Sequence, residues 1–580
     1  MKPFRTSTLV SLLALSTAAL AGFVLPACSA AQEETTPEDE ESVDNLTVAN
    51  VPEDTFLTNV LGKSKCTVIV KGKKIAARTG GVCPTKLSQV LDVLEGKGTV
   101  TPAPTGSAAP SGSASNGNGG IVPPGVGSVA GPNVFVVAEM GDKPNLDNTY
   151  RFVLSGGAGV ANEKLYIASF ASGRGAPETG VEVMAWSEKI QAFVFWKENG
   201  GKWERMGDGT MVPTQAKGAA PAFQCAGCHT SGGPLMKELH DSWANWTSTW
   251  FTVSDPQSPD ANFKRMFQKI VRADDMERQI ILSEHLHVKG RVDRAKAENK
   301  LKGIATQLFC DVGEGTLIAA HSKNSQRFGD VQTFSSMLPG AFVVSALFRA
   351  PRTGTGTELG LENNLGLSLP TIDGLSIDSK AYAETLKKNG SKISGQAGDS
   401  IFPMNGPEKS YADNDAIQEL LRQKLVDKDF VADVLMTDFT TPTFSKARCA
   451  LADSLPDTWT SPDDLKTKFA AKLATSNARG AKGLAARLGK PTDIADHTKT
   501  LEAYGKACSD RKTKSAADFT TDTLKILSQR RAEFLETYGQ LVESDGLLPT
   551  DNLRSVPGAQ RFNGTTCELE ASTAKFVGEE

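Results

Sequence analysis

The chain has 580 residues, 39% hydrophobic and 22% charged, with 63 basic against 67 acidic side chains and a formal net charge of −4. No basic block is present, so a nucleic-acid footprint is excluded, and the only strongly apolar stretch of any length lies at the N-terminus, so a polytopic membrane protein is excluded too. Cysteine (9) and histidine (6) are scarce, which makes any cluster of the two informative.

Lys2 and Arg5 precede an uncharged run from Leu9 to Val24 rich in Leu, Ala and Ser, too short for a bilayer span, which takes about 20 residues. A basic start, an apolar run and small residues form a secretory signal. Leu25-Pro26-Ala27-Cys28 resembles the lipobox of bacterial lipoproteins, with Pro26 departing from the usual small residue. The resemblance implies removal of residues 1–27 and acylation of Cys28, whose chains add about 0.8 kcal/mol of membrane affinity per buried methylene. Ser29 does not resemble the aspartate that retains lipoproteins in the inner membrane. The expected location is therefore the outer membrane, on its periplasmic or cell-surface side.

Residues 28–56 carry many acids and almost no large apolar groups, which predicts a solvated, self-repelling tether. Residues 57–96 regain a pattern. Cys66-Thr-Val-Ile-Val, a turn at Lys71-Gly72-Lys73, and Leu87, Val90, Leu91 and Leu94 at helical spacing predict a small module stapled by Cys66 and Cys83. Residues 97–132, made mostly of Gly, Pro, Ser and Ala, read as a flexible linker.

From Asn133 the period becomes two. Val134–Val137, Tyr150–Leu154, Leu165–Ile167, Val181–Met184, Gln191–Trp196 and Lys202–Met206 predict short strands, the last pair joined by a hairpin turn at Glu198-Asn199-Gly200-Gly201. The span 133–224 is thus expected to be an antiparallel β region leading into a segment, 225–260, that carries the chemistry. Beyond it, 261–580 reads as mainly α-helical. Ser461-Pro462-Asp463-Asp464 signals a helix start followed by Leu465, Phe469 and Leu473, and Ile417, Leu420, Leu421 and Leu425 form a second apolar stripe. A third comprises Leu524, Leu527, Phe534, Tyr538 and Leu541. The expected fold class is α+β.

The chemistry lies in Cys225-Ala226-Gly227-Cys228-His229, a C-x-x-C-H pentapeptide. Two thiols at this spacing add to the two vinyl groups on one haem edge, and the adjacent imidazole reaches the iron. With this chain's own Cys and His frequencies the pattern arises by chance about 0.001 times per chain. A zinc site would need a second C-x-x-C or paired histidines, and a thioredoxin-like motif would sit within βαβ units. The pentapeptide resembles that of the c-type cytochromes, which implies one covalent haem c, with Cys225 and Cys228 as thioether attachment points and His229 as the proximal iron ligand. A β-rich stretch ending at this motif also resembles the cytochrome P460 layout over about 100 residues, although the lysine crosslink of that family cannot be placed on any lysine here. Trp186, Trp196, Trp203, Trp243, Trp246 and Trp250 lie close in sequence and are candidates to cover the haem.

The sixth iron ligand is left open among His240, Met236, Met206, Met211, a remote residue such as Met404, and no protein ligand. Glu284, His285 and His287 fall in a stretch that reads as helical, where positions two apart face apart, so both histidines are expected at the surface. His321 and His497 look isolated. After Cys28 and the haem pair, Cys66, Cys83, Cys310, Cys449, Cys508 and Cys567 can form three bridges in an oxidising compartment. Locality pairs Cys66 with Cys83; a tail folding back on the last helix pairs Cys508 with Cys567, leaving Cys310 with Cys449.

The leading expectation is a lipid-anchored monohaem c-type cytochrome passing single electrons to a redox partner protein, with no nucleic-acid partner. The alternatives are a haem enzyme with an open iron face, peroxidase-like or P460-like, and a haem-based sensor or binding lipoprotein.

Overall fold

A computed structural model describes residues 54–96, 132–211, 222–234, 261–310, 411–441, 445–526 and 560–573, apart from short gaps within these ranges, and a few isolated stretches between 316 and 408. The chain is α+β. Elements begin with helix α1 (Thr55–Asn59), strands β1 (Ser64–Lys65), β2 (Thr67–Val70), β3 (Lys73–Ile75) and β4 (Gly81–Val82), and helix α2 (Leu87–Leu94). Strands β5 (Asn133–Ala138), β6 (Thr149–Ser155), β7 (Leu165–Ser172), β8 (Thr179–Ser187), β9 (Ala192–Asn199) and β10 (Lys202–Asp208) follow.

Eight of these strands form one sheet in the order β3-β2-β10-β9-β8-β7-β6-β5. From β5 to β10 it is an antiparallel meander, as the alternating sequence predicts. Gly200 and Gly201, both at positive φ, turn β9 into β10, with the Gly201 N–H donating to Glu198 Oε1. At its far edge the sheet is mixed. Strand β2 runs parallel to β10, with Thr67 opposite Lys202 and Val70 opposite Arg205.

That pairing corrects the domain reading. Residues 57–96 are not a separate module but an edge of the main sheet, and Phe56, Val60, Leu87, Val90, Leu91 and Leu94 share one core with Trp196 and Trp203. The described fold also includes Asp54, Thr55 and Phe56, the last residues of the expected acidic tether. Asp54 is buried, caps α1 through the Phe56 and Leu57 N–H groups, and accepts the Trp196 indole N–H at 3.0 Å. Residues 1–53, with Cys28, and 97–131 lie outside the described residues.

Both faces of the sheet are covered, and strand alternation sorts the side chains between them. Val194 and Trp196 of β9, Val183 and Ala185 of β8, and Leu165 and Ile167 of β7 face α1, α2 and Met266 of α3 (Ala261–Phe267). Phe193 and Phe195, Met184 and Trp186, and Tyr166 face the other way, towards Ile280 of helix α4 (Ala273–Ala297).

Helix α4 meets this second face largely through polar groups. Gln279 Oε1 lies 2.6 Å from Ser155 Oγ, Ser283 Oγ lies 2.6 Å from Tyr166 Oη, and the Arg294 guanidinium donates to the carbonyls of Ile190 and Gln191. Its opposite side, with Val288 and Val292, joins the helical core. That core is built from α5 (Leu301–Phe309), α6 (Tyr411–Arg422), α7 (Lys428–Leu435), α8 (Lys446–Leu451), α9 (Pro462–Ala474), α10 (Ala481–Leu488) and α11 (Ile494–Lys514). Phe309, Phe430 and Phe469 meet edge-on at centroid separations of 5.5–6.4 Å, each buried ring contributing roughly 1.5–3 kcal/mol. Ser461 caps α9 as its sequence predicts, with Pro462 in the first turn and Leu465, Phe469 and Leu473 buried. The stripe from Leu524 to Leu541 lies largely outside the described residues.

The structure pairs Cys66 with Cys83, Cys310 with Cys449 and Cys508 with Cys567. The last two clip α5 to α8 and α11 to the hairpin of Gln560–Phe562 with Leu569–Ala571. Among the described residues no helix is long and apolar enough to cross a membrane.

Candidate haem-attachment site

The motif hangs from the end of β10, on the sheet face that also receives α4. A register shift between Arg205 and Gly207 interrupts the ladder two pairs before its end, and Asp208 then holds the turn, pairing with Arg205 at 2.6 Å and accepting the Thr210 N–H at 3.0 Å. Gly207 is required where it stands, because a Cβ there would meet the Phe223 ring at 2.7 Å. Phe223 lies against Phe195, centroids 5.2 Å apart, and so sets the motif on the sheet.

A 3₁₀ turn, Gln224–Gly227, carries Cys225. The His229 N–H donates to the Cys225 carbonyl at 2.9 Å, a four-residue spacing that holds the two residues close together. Cys225 is a free, half-buried thiol packed against the Phe193–Phe195 face. Burial pushes that thiol up to about 12, with Glu182 adding to the rise. Thiol–disulfide exchange needs the thiolate, so this environment does not suit a redox C-x-x-C, and the motif follows an antiparallel strand, not a βαβ crossover. Cys228 lies outside the described residues.

The His229 ring sits 5.4 Å from Phe195, and its Nδ1 lies 2.8 Å from the Gly233 carbonyl oxygen. A carbonyl only accepts, so Nδ1 carries a proton; in the neutral ring that makes Nε2 the unprotonated nitrogen, the tautomer a metal-ligating histidine needs. The loop making this contact is tightly seated. A Cβ at Gly209 would meet the Gly232 carbonyl at 2.6 Å, and one at Gly233 would meet His287 at 2.6 Å and the Glu284 carboxylate at 2.9 Å.

His287 is a correction. It was expected at the surface, yet it is fully buried, its Nε2 lies 3.0 Å from the Ser231 carbonyl, and its ring lies near Phe193. Burial and the nearby Arg291 and Arg294 hold it well below the usual histidine range, so it is neutral at pH 7. His285 does face outward, 38% exposed, with Asp415 at 3.3 Å. His497 is not isolated: its Nε2 lies 2.8 Å from Asp433 of α7 in the helical core. His321 lies outside the described residues.

The candidates for the other face of the iron fall unevenly. Met206 is half-buried on the same sheet face as Cys225, whereas Met211 is 49% exposed. Met236, His240 and Met404 lie outside the described residues. Of the candidate tryptophans among the described residues, Trp186 alone lies on the motif's side of the sheet. Trp196 and Trp203 point into the opposite core, bound to Asp54 and to the Pro84 carbonyl, and so cannot cover a haem at Cys225. Trp243, Trp246 and Trp250 lie outside the described residues. No group of three or more His, Cys, Asp or Glu able to hold a metal ion occurs among the described residues.

The chain matches no protein-family model, no curated protein and no solved structure. The donor chemistry is therefore the guide. A free thiol at Cys225, an imidazole with Nδ1 committed to a carbonyl, and flanking Phe195 and Phe223 suit the edge and axial side of a haem.

Proposed function

We propose that this chain is a membrane-anchored monohaem c-type cytochrome that passes single electrons outside the cytoplasm. The reading rests on C-x-x-C-H at Cys225–His229 and is supported by one observation above others, the His229 Nδ1 contact with the Gly233 carbonyl. A haem held there supplies one-electron exchange. Cys225 and Cys228 would hold its edge, His229 would take the axial position, and Phe195 and Phe223 would keep water from the axial side. The lipobox-like Leu25–Cys28 supports an anchor in the outer membrane, with a redox protein as partner.

A second reading, a haem enzyme with an open iron face, draws support from the antiparallel meander that leads into the motif, the arrangement that resembles cytochrome P460.

The test begins with the protein exported in a host that matures c-type cytochromes. The denatured polypeptide should carry the mass of one haem b and keep it through acidic acetone; haem that extracts sinks the proposal. A reduced spectrum insensitive to carbon monoxide supports the carrier, and immediate carbon monoxide binding supports the enzyme. Cys28→Ser should release the protein from the detergent phase, and retention there would place the anchor elsewhere.

A further inference from the structure

Helix α4 docks with its polar side inward, and one of its residues has no role in the sheet core. Gln279, Ser283 and His287 follow one another at four-residue spacing, so they share one side of the helix. Gln279 and Ser283 bind the sheet through Ser155 and Tyr166, whereas His287 reaches past it to the loop that follows His229. We propose that His287 is a positioning residue for the proximal haem loop, its Nε2–H holding the Ser231 carbonyl so that the Gly233 carbonyl stays on His229 Nδ1. This rests on the haem reading above.

The loop is pinned from three sides. The Gly232 carbonyl abuts Gly209, the Ser231 carbonyl accepts from His287, and Gly233 lies flat against the His287 ring and the Glu284 carboxylate. Within the loop the Gly232 N–H donates to the His229 carbonyl at 2.9 Å, and the Gly233 N–H reaches Ser231 Oγ at 3.3 Å. Residues 231 and 233 are therefore coupled, and the His287 side chain touches both. Ser231 offers His287 a carbonyl oxygen, so Nε2 is the protonated nitrogen, while Nδ1 is buried without a hydrogen-bond partner among the described residues. His287 touches the loop on the Nδ1 side of His229, opposite the nitrogen that would face the iron. It stands behind the proximal ligand and is not a candidate for the other face.

The consequence is electronic as well as mechanical. A hydrogen bond from the far nitrogen of a ligating imidazole raises its basicity, which favours the oxidised metal. Loosening the Gly233 carbonyl removes part of that effect and moves the midpoint potential upward.

The experiment compares full-length haem-loaded wild type with His287→Leu, which keeps bulk without a donor, and His287→Gln, which keeps an N–H. Redox titration followed by absorbance should show an upward shift in His287→Leu and a return towards the wild-type value in His287→Gln. An unchanged potential in His287→Leu, or equal shifts in both variants, overturns the proposal. Should His287→Leu fail to fold, the reduced wild type labelled with ¹⁵N-histidine carries the test. A slowly exchanging Nε2–H on His287 supports the proposal, and an Nδ1–H tautomer overturns it. A wild type without covalent haem, visible in its spectrum before any variant is made, fails the underlying reading and takes the proposal with it.

Discussion

Asp54→Ala probes whether the segment before residue 97 is part of the main sheet's folding unit. The carboxylate is 3% exposed; Oδ1 accepts the Phe56 and Leu57 N–H groups at 2.9 Å each, and Oδ2 accepts the Trp196 indole N–H at 3.0 Å. Losing the helix cap costs about 1 kcal/mol. Leaving the fully buried Trp196 N–H without an acceptor costs roughly 1–3 kcal/mol more. The sum, about 2–4 kcal/mol, should appear as a lower midpoint in denaturant unfolding followed by tryptophan fluorescence, because Trp196 and Trp203 lie in the same core. The pH dependence is a second signature. Burial outweighs the three donors and raises the carboxyl from 3.8 to about 7. The folded state then binds this proton more tightly than the unfolded chain. The stability Asp54 contributes is thus fully present below about pH 4 and is lost as pH rises to about 7. Asp54→Asn should abolish that fall relative to wild type. A loss below about 0.5 kcal/mol in Asp54→Ala, or an unaltered pH slope in Asp54→Asn, would refute the reasoning.

Replacing Cys66 and Cys83 by serine opens a loop spanning 17 residues and should destabilise the sheet unit by about 3 kcal/mol, read by the same unfolding curves. Gly207→Ala places a Cβ 2.7 Å from the Phe223 ring, an overpacking worth about 1–3 kcal/mol that should lift the motif off Phe195 and lower covalent haem per polypeptide, measured as the Soret-to-protein absorbance ratio. His229→Ala should change the iron's spin state in molecules that retain covalent haem, whereas His285→Ala, at a partly exposed ring beside Asp415, should leave the spectrum as it was.

By itself the sequence determined what is local. Alternation of apolar and polar residues marks a strand wherever one turn separates it from its partner, so each strand of the meander from Asn133 to Asp208 is legible, although β7 and β8 run on beyond the expected Leu165–Ile167 and Val181–Met184. The helix start at Ser461 is equally local, since the cap, the proline and the acids lie within one turn. So is the C-x-x-C-H motif, whose three defining residues lie within five positions of the chain. Tertiary structure decided the rest, for identifiable reasons. A parallel pair has no connecting turn to announce it, so nothing in Thr67–Val70 points to β10 across the intervening linker. Asp54 looks like one more tether acid until a buried indole from 142 residues away gives it a partner. His287 is polar yet buried, so polarity in the sequence does not mark it as exposed. Helix α4 is buried on two sides, one through hydrogen bonds to the sheet and the Ser231–Gly233 loop and the other through Val288 and Val292, and it therefore shows no apolar stripe to mark which side is inward. Only the folded chain brings His287 to the Ser231 carbonyl, 56 residues away in sequence.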